Sequence, residues 1–138
     1  MTLYSNAYML TKVLTASNRE VILYLYEGAA GFLQRAAEAR KRGDETECCE
    51  SLDRVSSIMI ELSSCLDYNR NGSLAIRLDS IYNYMIETLG MSNRQHDLEA
   101  IETCLSILAI LSDAWRQAIA SENGVEVGGH EPSLEISA

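Results

Sequence analysis

The chain has 138 residues, 47% of them hydrophobic, which suits one domain with a sizeable core and excludes a wholly disordered chain. Its 11 lysines and arginines stand against 20 aspartates and glutamates, a net charge of −9, which repels a phosphate backbone and argues against nucleic acid as a partner. The one proline is Pro132, so residues 1–131 lack the residue that breaks helix interiors, and the fold is predicted to be all-α.

Residues 1–14 carry Leu3, Tyr4, Ala7, Tyr8, Met9, Leu10, Val13 and Leu14. That is too apolar for an ordinary frayed terminus, and residues 1–17 are expected to form an arm lying against the body of the protein. The arm shows no basic region followed by an apolar core, so no signal peptide is read there. Ser17 and Glu20 then form a capping box, a hydroxyl at the cap and a carboxylate three residues on, and both are expected to have structural roles.

A first helix is predicted over about residues 18–42. Ile22, Leu25, Ala29, Phe32 and Ala36 make one apolar stripe. Val21, Leu23, Tyr24, Tyr26, Ala30 and Leu33 lie off it, so the first half of this helix is apolar on most sides. Arg40, Lys41 and Arg42 suit the negative end of the helix dipole, and Gly43 suits the position just past a helix end. A second helix is predicted over about 45–66, opened by Asp44 and carrying Leu52, Val55, Ile58 or Met59, Leu62, and Cys65 or Leu66 inward. Residues 67–72 read as a polar turn. A third helix is predicted over about 73–92, with Leu74, Leu78, Ile81, Met85 and Leu89 as its seam and Ile76, Tyr82, Tyr84 and Ile86 outside it. Gly90 is expected to weaken its end.

Asp97 is expected to cap a fourth helix over about 98–121, whose face is Ile101, Leu105, Leu108, Leu111, Trp115 and Ala118. Residues 122–138 turn to glycine, glutamate and serine and read as a disordered acidic tail. Four helices of similar length with short joins predict an antiparallel up-down four-helix bundle in a single domain over residues 1–121.

Catalytic motifs are missing. Helix bundles that hold two metal ions use Glu-x-x-His pairs, and neither His96 nor His130 belongs to one. No glycine-rich phosphate loop, haem-attachment motif or nucleophile elbow occurs. Cys48, Cys49, Cys65 and Cys104 form no C-x-x-C and read as reduced helix residues of a cytosolic protein. The chain is therefore read as a non-enzyme without a cofactor or metal. No apolar run is long enough to span a bilayer, so direct membrane insertion is not expected.

The surplus is apolar and aromatic. Tyr8, Tyr24, Tyr26, Tyr82 and Tyr84 concentrate in the arm, the first half of the first helix, and the third helix. Tyrosine is enriched at interfaces, where its ring is covered and its hydroxyl paired. Helices with more apolar surface than a bundle buries suggest a groove for an apolar helical segment. The alternative is a homodimeric interaction module that meets a second copy through the same surface.

Several stretches resemble a known family. Tyr8 to Val13, Thr15-Ala16-Ser17 and Leu25-Tyr26-Glu27-Gly28 resemble the N-terminal signature of the flagellin-specific export chaperones, the FliS family. Glu61-Leu62 with Leu66-Asp67 fits the same pattern. Leu78 with Ile81-Tyr82-Asn83-Tyr84-Met85, then Leu89 and Asn93, resembles the family's Tyr-Asp-Tyr-Met segment. Asp113-Ala114-Trp115 with Gln117-Ala118-Ile119 is similar to its last helix. The matches run in order over about residues 8–120. Asn83 stands where the family often has Asp, Gly90-Met91-Ser92 replaces a more usual Ala-Asn, and residues 122–138 have no family pattern.

The resemblance implies a four-helix-bundle chaperone of the bacterial cytosol. Such a protein binds the disordered C-terminal segment of flagellin, prevents premature polymerisation, and presents the client to the cytoplasmic domain of the export gate. Joined to the apolar pattern, it places the client groove on Tyr8, Val13, Ile22, Tyr26, Leu66, Leu78, Ile81, Tyr82, Met85 and Leu89. Tyr8, Met9 and Val13 of the arm would cover the groove when it is empty, with a weak homodimer through the arm as a further expectation. Trp115 is expected to be a structural anchor near one end of the bundle.

Overall fold

The computed structural model of the protein describes residues 18–69 and 71–124. They form four helices: α1 (Asn18–Lys41), α2 (Glu45–Ser64), α3 (Gly72–Gln95) and α4 (Leu98–Gly124). Neighbours in sequence are neighbours in space, and α1 also packs against α4, so the four close into a ring around one core. This is the expected all-α up-down bundle. Ser17, Tyr8, Met9 and Val13, with the rest of the arm, lie outside the described residues, as do Arg70 and residues 125–138.

The helix ends follow from the turn residues. The Asp44 side chain accepts a hydrogen bond from the Glu47 N–H, at 3.1 Å, and Asn71 accepts one from the Leu74 N–H, at 3.2 Å. Asp97 accepts from the Glu99 N–H at 3.0 Å. Each satisfies a backbone donor that the first turn leaves without a partner. Gly43 takes φ +82 just past α1, a conformation that only glycine adopts without strain. Gly90 does not end α3. The helix continues to Gln95 and is closed by His96 in the left-handed region, at φ 55. Glu20 sits half-buried in the first turn of α1.

The core rows differ from the expected ones at two positions in α3 and at one in α4. In α3 the buried row is Ala75, Leu78, Tyr82, Met85, Leu89 and Ser92, so Ala75 and Tyr82 take the places assigned to Leu74 and Ile81. In α4 it is Ile101, Cys104, Leu108, Leu111, Trp115 and Ala118, with Cys104 in place of Leu105. Both observed rows advance by alternating steps of three and four, the spacing that keeps one seam facing a partner helix. The neighbouring rows are apolar as well, which is why composition alone does not separate them.

At one end of the bundle, Arg40 joins the two helical hairpins. Its side chain is only 6% exposed. One terminal nitrogen donates to the Ser92 carbonyl at 3.1 Å, the Ser92 hydroxyl at 2.8 Å and the Asp97 carbonyl at 3.3 Å; the other donates to Glu45 Oε1 at 3.2 Å. His96 Nδ1 lies 3.1 Å from the same Glu45 oxygen. Some desolvation of the Glu45 carboxyl is outweighed by these bonds and charges, so its pKa is lowered.

Candidate binding surface

The expected groove residues divide between interior and surface. Ile22, Tyr26, Leu78, Tyr82, Met85 and Leu89 are all buried in the bundle core. They face other helices of the same chain because the seams of α1 and α3 need them there. Leu66 and Ile81 stay half-buried and pack against the edge of that core.

Three of the aromatic residues form one buried unit. The Trp115 indole N–H donates to the Tyr26 hydroxyl at 2.8 Å, and Tyr26 and Tyr82 share a hydroxyl–hydroxyl bond of 2.7 Å. Their rings are tilted against one another, with centroids 6.3–6.4 Å apart. The chain of bonds runs from α4 through α1 and across the bundle to α3. Trp115 is thus an anchor at mid-bundle rather than at an end. Every polar atom that these side chains carry into the core has a partner, as buried polar groups require. Burial pushes the Tyr26 hydroxyl up to about 12 despite its two hydrogen bonds, and burial pushes Tyr82 higher still.

The exposed apolar side chains lie elsewhere. Ile60, Ile76, Tyr84, Met91 and Ile110 are each about half exposed or more, with Ile110 at 69%. Tyr84 and Ile110 belong to a groove between α3 and α4, the least closely packed neighbouring pair of helices in the ring. Ser80, Ile81, Tyr84, Ile107, Ile110 and Leu111 line it, around a volume of about 360 Å³. Ser80, Ile81 and Tyr84 share one face of α3, and Ile107, Ile110 and Leu111 share one face of α4, by their three- and four-residue spacing. An open apolar groove bounded by two antiparallel helices accepts the apolar face of a third helix or an extended strand of side chains. The sequence reading placed Tyr84 among the interface tyrosines but missed Ile107, Ile110 and Leu111. Leu111 was read only as part of the core row of α4, and the signal for Ile107 and Ile110 is a second apolar row beside it.

A second depression lies between α1 and α4, lined by Ala30, Gly31, Gln34, Leu105 and Ala109 among others. Its rim charges are paired, Arg116 with Asp113 at 2.9 Å and with Glu27 at 3.2 Å.

Among the described residues, no group of three His, Cys, Asp or Glu side chains is placed to hold a metal ion. The four cysteines are free thiols, and burial raises the pKa of Cys48, Cys65 and Cys104. That favours the protonated form, which is neither the nucleophile nor the metal ligand. No described helix is long and apolar enough to cross a membrane.

Comparison with known proteins agrees with this picture. A family model described as "Flagellar protein FliS" matches residues 1–122. The chain is 34% identical over 116 residues to the flagellar secretion chaperone FliS of Bacillus subtilis, covering 84% of this chain and 86% of the relative. It is 31% identical over 115 residues to the protein of the same name from Salmonella typhimurium, covering 83% and 85%. For that of Campylobacter jejuni the figures are 30% over 117 residues, 85% and 91%. A bundle of this form, with a family-model match over residues 1–122, makes the chain a member of the FliS family.

Proposed function

We propose that this protein is a cytosolic secretion chaperone that binds the disordered C-terminal segment of flagellin, keeps it from polymerising, and delivers it to the cytoplasmic domain of the flagellar export gate. The observation that carries this reading is the open α3–α4 groove, whose lining is almost wholly apolar. A monomer rarely leaves a contiguous apolar patch without a use for it.

In this reading the client lays an apolar face over Ile81, Tyr84, Ile107, Ile110 and Leu111. Leu66 extends the contact at the far end of α2. Ile22, Tyr26, Leu78, Tyr82, Met85 and Leu89 form the rigid floor beneath. Tyr8, Met9 and Val13 of the arm cover the same apolar surface before the client arrives, which lowers affinity but limits self-association. A wrapping segment that orders on binding buries on the order of 1,000–3,000 Å² and gives up several kcal/mol to its own ordering. Binding of that kind is tight enough to hold a client and weak enough to release it.

Calorimetric titration with the C-terminal segment of flagellin tests this. The expected result is 1:1 binding with a negative heat-capacity change, absent for flagellin truncated before that segment. A well-folded protein that ignores the segment and elutes as a dimer irrespective of flagellin would replace this reading with self-association.

A further inference from the structure

One helical turn beyond the groove's lining on α3 stands an unbalanced charge. Arg77 lies one helical turn before Ile81 on the same face of α3, and with Tyr84 it completes an i, i+4, i+7 row. It is exposed, and among the described residues no carboxylate lies within ion-pair distance of it. Most other described arginines are engaged. Arg35, Arg40, Arg42 and Arg116 pair with carboxylates, and Arg54 lies over the Phe32 ring. In a chain with nearly two acids for every base, a lone cation at the end of an apolar groove is conspicuous. The α1–α4 depression offers no such charge, because Arg116 is already bound to Asp113 and Glu27.

We propose that Arg77 is a specificity-determining residue of the groove, selecting a client segment with a carboxylate about one helical turn beyond its aliphatic anchors. This rests on the flagellin-client reading above. Arginine suits the role: its fork matches a carboxylate with two parallel bonds, and its weakly hydrated guanidinium tolerates the edge of an apolar contact. The apolar groove alone fixes neither the register nor the direction of a helical segment. One charge at one end fixes both, since a reversed or shifted segment leaves its carboxylate against isoleucine and Arg77 without a partner.

The test measures binding of the flagellin C-terminal segment to the full-length wild type, Arg77→Glu, Arg94→Glu and Ile110→Asp. Arg94, exposed in the last turn of α3, controls for the same change in net charge. Arg77→Glu is expected to bind roughly tenfold more weakly, mostly through a slower association rate at low salt, while Arg94→Glu stays within about twofold of wild type. A set of segments with each acidic residue changed singly to lysine should contain one that binds wild type poorly and Arg77→Glu well. Equal binding by Arg77→Glu and Arg94→Glu, with Ile110→Asp still inactive, overturns the role of Arg77 and leaves the groove standing. Tighter binding on changing Glu126, Glu131 and Glu135 to glutamine in wild type, but not in Arg77→Glu, would show that the chain's own tail neutralises Arg77 and would also overturn it. No binding by folded wild type removes both readings, and that result is seen without any variant.

Discussion

The buried Trp115–Tyr26–Tyr82 unit makes an asymmetric prediction. Tyr26 is its hub, accepting from the Trp115 N–H and sharing a bond with the Tyr82 hydroxyl. Tyr82→Phe removes one bond and leaves Tyr26 still paired with Trp115. The expected cost is about 1–2 kcal/mol. Tyr26→Phe removes both bonds and strands two buried groups, the indole N–H and the Tyr82 hydroxyl. At about 1–3 kcal/mol for each of the two stranded groups, the expected cost is about 2–6 kcal/mol. The double variant then removes one of the stranded groups, so it should be no less stable than Tyr26→Phe alone, and well short of additive. Urea unfolding followed by far-ultraviolet circular dichroism measures all three. In a thermal scan, each kcal/mol shifts Tm by roughly 3–5 °C for a domain of this size. The network argument fails if Tyr82→Phe costs as much as Tyr26→Phe, or if the two costs simply add.

Other consequences are more local. Tyr84→Ala and Ile110→Asp should change stability by no more than about 0.5 kcal/mol, being exposed, yet each should weaken binding of the flagellin segment at least roughly tenfold in the same titration. Gly43→Ala should cost about 1–2 kcal/mol by chemical denaturation, because open space surrounds the site and only the φ of +82 opposes a side chain. Arg40→Met keeps the buried stem but removes the bonds to Ser92, Asp97 and Glu45 that tie the two hairpins together. The Ser92 carbonyl keeps the His96 and Asp97 N–H donors, and the Asp97 carbonyl keeps the Ser92 hydroxyl. A loss of about 2–3 kcal/mol is expected, recovered only in part by Arg40→Lys, which lacks the fork. The raised pKa values of Tyr26 and Tyr82 mean that their contribution to stability is full below about pH 10 and is lost as pH rises toward about 12, the value for Tyr26. Tyrosinate absorbance during an alkaline titration should therefore show two rings ionising last, together with unfolding.

The bundle was legible because its signals are local and repeated. Proline is missing from the body of the chain, apolar residues recur at three- and four-residue spacing, and Asp44, Gly43 and Asp97 mark the ends where they were expected. The choice of row was harder to read. In α3 both Ile81 and Tyr82 fit an apolar seam, and only contact with Tyr26, distant in sequence, settles which one turns inward. The third helix was read to about residue 92 and runs to Gln95. The propensity cost of Gly90, about 1 kcal/mol, is offset by Leu89 and Ser92 packing on either side of it, with Ser92 held by Arg40 from another helix. The apolar surplus was assigned in part to residues that the core takes, Ile22, Tyr26, Leu78, Tyr82, Met85 and Leu89, while Ile81 does line the α3–α4 groove.

That excess has a simple geometric origin. On α3 the core row passes through Leu78, Tyr82, Met85 and Leu89, and the row one residue behind it passes through Arg77, Ile81 and Tyr84. A shift of one residue is a rotation of about 100° around a helix, so the two rows face different directions. Ile107 and Ile110 stand in the same relation to Leu108 and Leu111 on α4, with Leu111 reached from both sides. Each helix therefore spends one apolar row on the fold and a second on the groove. The core row is buried between helices of the same chain, so under the proposed function a client leaves without unfolding the protein that carried it. This separation also explains why single substitutions should divide cleanly. Changes at Tyr26, Tyr82 or Trp115 should lower stability and disturb binding only through it. Changes at Tyr84 or Ile110 should abolish binding in a protein that melts like wild type. A groove variant that loses both together would show that the surface row is part of the core after all.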